Sequence, residues 1–140
     1  MSDAWTLTER AAEDGLFVVR ARAALPAADE RARHPVAIWI SWPFGELANA
    51  AAETAVLAEM IAFEEALHAA AEQGGWGMLV AVVTGGAARE WLFQAADGQA
   101  FVGELRAALE GHPVYPFELR AWDDPSWKAA RELAPRAGAH

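Results

Sequence analysis

The sequence predicts an α+β fold, and three observations carry that prediction. Short runs of alternating or unbroken apolar residues recur six times along the chain. Two longer segments repeat apolar residues at helical spacing, and Gly, Pro or Asp punctuates the joins. With 140 residues, 54% hydrophobic and 22% charged, the chain can bury one core without staples, so residues 1–140 are expected to form a single domain with its core at about 5–135.

Residues 5–10 read as a first strand, Glu13-Asp14-Gly15 as a tight turn, and 16–23 as a second strand in which Phe17 and Val19 alternate with Val18 and Arg20. A polar loop is expected over 26–34. A third strand follows over 36–42, closed by Pro43 and Gly45. Residues 49–73 form the longest helix, with Val56, Leu57, Met60, Ile61, Phe63 and Leu67 as one buried stripe, and Gly74-Gly75 ends it. The nearly continuous apolar run 76–84 reads as a central strand, and Gly85-Gly86 turns the chain into a fifth strand over 89–94. Asp97 caps a second main helix that carries Phe101, Leu105, Ala108 and Leu109. A sixth strand spans 114–122, and Asp124-Pro125 opens a short last helix, with Pro in its first turn.

From the third strand onward this order is β-α-β-β-α-β. It predicts a ferredoxin-like sandwich with an N-terminal β-hairpin and a short C-terminal helix. Both main helices then lie on one face of an antiparallel sheet. The other face is left to the hairpin, the C-terminal segment or another chain.

Composition narrows the function classes. The absence of cysteine removes disulfides, thiolate metal sites and a cysteine nucleophile. The N-terminal residues lack a basic segment followed by an apolar stretch, and the longest apolar run is too short for a membrane span, so a cytoplasmic protein is expected. A net charge of −9 argues against binding nucleic acid. Seven tryptophans in an Ala-rich chain either fill volume in the core or line a binding face.

The long helix carries the main anomaly. Glu53 and Glu64 fall inside the apolar stripe, whereas Glu59 and Glu65 fall outside it. A carboxylate in that position needs a partner, and His68 one turn on and Arg89 at the fifth strand are the nearest candidates. Glu64 and Arg89 are therefore a candidate pair, either structural or at the polar end of a ligand pocket. No two of His34, His68, His112 and His140 are spaced as metal ligands, and neither a metal nor a cofactor is expected. The glycine pairs lack a phosphate-loop lysine, and Ser2, Ser41 and Ser126 show no elbow motif.

Several segments carry a resemblance: residues 57–67 with their acidic pair, then Thr84-Gly85-Gly86-Ala87-Ala88-Arg89-Glu90-Trp91, then Asp124-Pro125-Ser126-Trp127 with Leu133-Ala134-Pro135. With Trp5 near the start, this order resembles the bacterial domain-of-unknown-function 695 family, which is similar to the B-type regulators of ribonuclease E activity, ferredoxin-like protein inhibitors. The resemblance places Glu64, Arg89, Asp124 and Trp127 at the family's recurring positions and makes Asp124 and Trp127 a candidate interaction surface or cap. It implies no reaction. Gln94 and Ala130 depart from it, standing where an aromatic residue and a Tyr are expected.

The functional expectation is a non-catalytic interaction or regulatory domain that binds another protein, with self-association through its sheet as a further possibility. The alternative is a small-molecule binder or enzyme with a pocket containing Glu64 and Arg89.

Overall fold

Alternation along the strands sorts the side chains onto two faces, and the sheet is built so that both faces are used. In the computed structural model, which describes residues 4–12, 15–45, 47 and 49–133, the chain forms a mixed α/β fold of six strands and four helices. The elements are β1 (Trp5–Ala12), β2 (Gly15–Arg22), α1 (Ala28–Ala32), β3 (Val36–Pro43) and α2 (Ala50–Gly74). They continue as β4 (Gly77–Gly85), β5 (Ala88–Ala95), α3 (Gly98–Ala108), β6 (Glu118–Asp123) and α4 (Lys128–Leu133). One antiparallel sheet has the order β1-β2-β4-β5-β3-β6, so the N-terminal hairpin extends the sheet through β2 against β4.

Ile38, Ile40 and Trp42 of β3 and Trp91, Phe93 and Ala95 of β5 point to the face that α2 and α3 cover with Met60, Phe63, Leu67, Ala71, Phe101 and Leu105. This core is aromatic, with Phe63 packed 4.9 Å from Trp91 and edge-on to Trp42 at 5.6 Å between ring centroids. The opposite face carries Val19, Ala21, Ala37, Val83 and Leu92, and Trp127 and Ala130 of the C-terminal segment lie against it. An irregularity between Leu79 and Ala81 gives β4 one extra residue against β5, and Val80 and Ala81 both join this second core.

Caps set the helix ends. Asn49 accepts from the Ala52 amide and Asp97 from the Ala100 amide, each at 2.9 Å, and Gly75 takes the left-handed conformation (φ 69°) that ends α2.

Five details differ from the sequence reading. The polar loop holds a short helix, α1, with Asp29 and Glu30 in its first turn and Arg31 in its last. The turn between β4 and β5 is centred on Gly86-Ala87 rather than Gly85-Gly86, because Gly85 still pairs with Ala88 and the next two residues carry φ of 60° and 61°. Gly85 is needed for space instead, since a Cβ there would lie 2.6 Å from the Phe17 ring. β6 begins only at Glu118, since Pro113 and Pro116 interrupt the preceding segment and cannot donate to a ladder. α4 begins at Lys128, not at Pro125, because Trp127 is left-handed (φ 58°) and a helix cannot propagate through it. Finally, Leu57 and Ile61 are 48% and 43% exposed and Glu53 is exposed, so the buried line of α2 runs through Met60, Phe63, Leu67 and Ala71 instead. The Glu13-Asp14 part of the predicted first turn, Ala134-Pro135 of the tail and His140 lie outside the described residues.

Candidate functional site

Strand register brings the charged cluster together. Arg20 of β2 lies beside Val82 of β4, which lies beside Trp91 of β5, and the next row across β4 and β5 is Thr84 and Arg89. Residues opposite one another on antiparallel strands share a face, so Arg20, Trp91, Thr84 and Arg89 all rise toward α2. Glu64 meets them from above. Arg20 donates a short hydrogen bond to Glu64 Oε2, while Arg89 and the Trp91 indole donate to Oε1 at 3.1 and 2.9 Å. Arg89 also donates to Thr84 Oγ1 at 3.2 Å.

The Glu64 side chain is 14% exposed. Burial pushes its carboxyl pKa up, but the bonds from Arg20, Trp91 and Arg89 and the charge of Arg20 outweigh that, and the net shift is below the ordinary value of 4.5. A carboxylate with both oxygens occupied and a depressed pKa is a poor general base at neutral pH. Trp5 flanks the cluster, its ring 5.5 Å from the Arg20 guanidinium and 4.9 Å from that of Arg22.

The expected partners of Glu64 are therefore corrected in one respect. Arg89 meets it, but His68 does not. His68 Nε2 pairs with Glu72 Oε1 one turn further on at 3.1 Å, and its ring packs edge-on to Trp5. Arg20 and Trp91 escaped the sequence reading. Their signal was an arginine in mid-strand at a position that faces a helix.

Asp124 and Trp127 lie on the opposite face of the sheet from Glu64 and Arg89, so the four residues form two sites rather than one. Asp124 is buried and accepts from the Lys128 and Ala129 amides at 2.9 and 3.1 Å, which caps α4. Trp127 is fully buried, and its indole donates to the carbonyls of Arg31 and His34 at 3.2 and 2.9 Å. Those carbonyls lie at the C-terminal end of α1, so the indole ties α4 to α1. Gln94, one departure from the resemblance, is fully buried and donates from Nε2 to the carbonyls of His34 and Asp124. Ala130, the other, is also fully buried, packed in the core under α4. Arg10 reaches from β1 to the carbonyls of Glu132 and Leu133, both at 3.0 Å, and holds the far end of α4.

Beside the charged cluster opens a cleft of about 510 Å³ between the first half of α2, Phe44, Gly45 and Leu47, and the ends of β4 and β5. Phe44, Leu47, Val56, Leu57 and Met60 form its apolar wall; Thr84, Arg89 and Glu53 are its polar members. Glu64 is not among its lining residues. Among the described residues, no three His, Asp or Glu side chains gather closely enough to hold a metal ion, and no helix is long and apolar enough to cross a membrane.

Neither the curated proteins nor the solved structures give a match to the chain. The sequence profile of the Family of unknown function (DUF695) matches residues 3–133, nearly the whole chain, and the protein belongs to this family.

Proposed function

We propose that the protein is a non-catalytic interaction or regulatory domain, built on a ferredoxin-like core, that docks another protein through its sheet. The core reading is supported by the order β4-β5-β3-β6, in which α2 crosses from β3 to β4 and α3 from β5 to β6. The observation that carries the functional reading is the uneven cover of the sheet. On the face away from α2 and α3, the C-terminal segment packs over Val19, Ala21, Val83 and Leu92 of β2, β4 and β5. The β3–β6 corner keeps Trp122 39% exposed beside the half-buried Trp39, on a strand that forms one edge of the sheet. An exposed tryptophan on an open edge suits a docking surface or a second copy of the chain. Glu64, held by three donors, adds no reactive group.

The resemblance to the B-type regulators of ribonuclease E activity drawn from the sequence supplies a partner class by analogy alone. A chain of net charge −9 suits the basic nucleic-acid site of a ribonuclease. The test is affinity capture from the native host's lysate at low and moderate salt, with Trp122→Glu run in parallel. We expect a ribonuclease that is recovered less well as salt rises and is lost with Trp122→Glu, whose melting temperature stays near that of the wild type. Equal recovery by the variant, or no ribonuclease in either eluate, would contradict the reading.

A second reading, a small-molecule binder, is favoured by the cleft at Arg89, whose volume falls in the range of ligand sites. A thermal-shift screen against metabolites separates the two readings, because only the pocket predicts ligand-dependent stabilisation.

A further inference from the structure

The cleft carries a chemical preference. Two guanidiniums, Arg20 and Arg89, share the single carboxylate of Glu64, so the cluster behind the cleft has one positive charge in excess. Arg89 is the member that also lines the cleft, and its side chain is only 16% exposed. Among the described residues its side-chain hydrogen bonds go to Thr84 and Glu64, whereas a guanidinium has five N–H groups in a planar fork suited to a carboxylate. Its Nε is buried and has no protein partner among the described residues. The remaining wall is apolar, made by Phe44, Leu47, Val56, Leu57 and Met60. Leu57, nearly half exposed on α2, is the sort of side chain that a bound apolar chain would cover.

Glu53 lines the same cleft but is exposed on the first turn of α2, where water screens it. It is too weakly placed to select a cation against the better-buried Arg89, yet it disfavours a second negative charge. We propose that the cleft binds an amphipathic monocarboxylate, with its carboxylate on Arg89 and Thr84 and its apolar chain along Leu57 and Phe44. This rests on the small-molecule reading given above, to which it adds the ligand class.

The experiment is calorimetric titration of the full chain at neutral pH with octanoate, decanoate, 1-decanol and decylamine, each below its micellar concentration. Decanoate should bind about tenfold more tightly than octanoate, since each added methylene that leaves water strengthens binding about fourfold at most. The alcohol should bind at least tenfold more weakly than decanoate, and the amine more weakly still. Leu57→Asp alters an exposed wall residue and should weaken decanoate at least tenfold without moving the melting temperature by more than a few degrees. Equal binding of decanol and decanoate would overturn the anion preference and leave the pocket reading standing. Undiminished binding by Leu57→Asp would overturn this cleft as the site. If no amphiphile binds at all, the proposal fails, and the small-molecule reading is then decided separately by the metabolite thermal-shift screen.

Discussion

Glu64 and Asp124 are two carboxylates drawn largely out of water on opposite faces of one sheet, and they are satisfied in different ways. Asp124 accepts from two backbone amides of α4, a few residues further along the chain. Glu64 accepts from three side chains on β2 and β5, and its partners Arg20 and Trp91 lie 44 and 27 residues away in sequence. The first arrangement is local and costs little to assemble. The second exists only once the sheet is in register, and it neutralises charge rather than merely satisfying hydrogen bonds. The cap therefore fixes one short helix, whereas the Glu64 cluster reports on the whole β2–β4–β5–α2 assembly.

That contrast can be broken by substitution, beginning at the larger effect. Glu64→Ala leaves Arg20 and Arg89 without a counter-charge. A fully buried pair broken in this way loses about 3–5 kcal/mol. Arg20 is 38% exposed, so solvent relieves part of the loss and about 2–3 kcal/mol is expected in denaturant unfolding. A loss below about 1 kcal/mol would mean that the cluster contributes little to the fold. Asp124→Ala removes a cap and should cost about 1–2 kcal/mol, whereas Asp124→Asn, which keeps one acceptor oxygen but turns an NH2 group toward the second backbone amide, should cost about half as much. If Asp124→Ala cost as much as Glu64→Ala, the local cap would matter as much as the long-range cluster, and the distinction between the two sites would collapse.

The same contrast explains what the sequence could and could not show. Asp97 and Asp124 were legible as caps because a cap acts within a turn of its own position. Gly75, the succession of strands along the chain and both main helices were legible from short-range pattern for the same reason. Arg89 could be named as a partner of Glu64 because a charge on a buried stripe demands one, and Arg89 starts the strand that pairs next to β4. Arg20 could not, since its contact depends on β2 adding to β4 with Arg20 beside Val82. A hairpin sequence does not specify which edge it joins. The exposure of Leu57 was hidden for a related reason. Periodicity shows that a helix has an apolar line, but here part of that line borders an open cleft rather than packed sheet. Trp127 is the remaining surprise: nothing in Asp-Pro-Ser-Trp announces a left-handed tryptophan, and its conformation is held by burial and by its two indole hydrogen bonds.

Glu64 serves the fold as a fully engaged carboxylate, ionised at neutral pH, rather than as a proton-transfer group. Because its pKa is lowered on folding, its contribution is present above the unfolded value of 4.5 and is lost as pH falls through the lower folded value. The most direct test compares the unfolding free energies of the wild type and Glu64→Gln from pH 7 down to the lowest pH at which both still fold. The wild type should be the more stable at pH 7, and its advantage should hold until about pH 4.5 and shrink below it. An advantage that does not change with pH, or one that grows as the pH falls, would contradict the account.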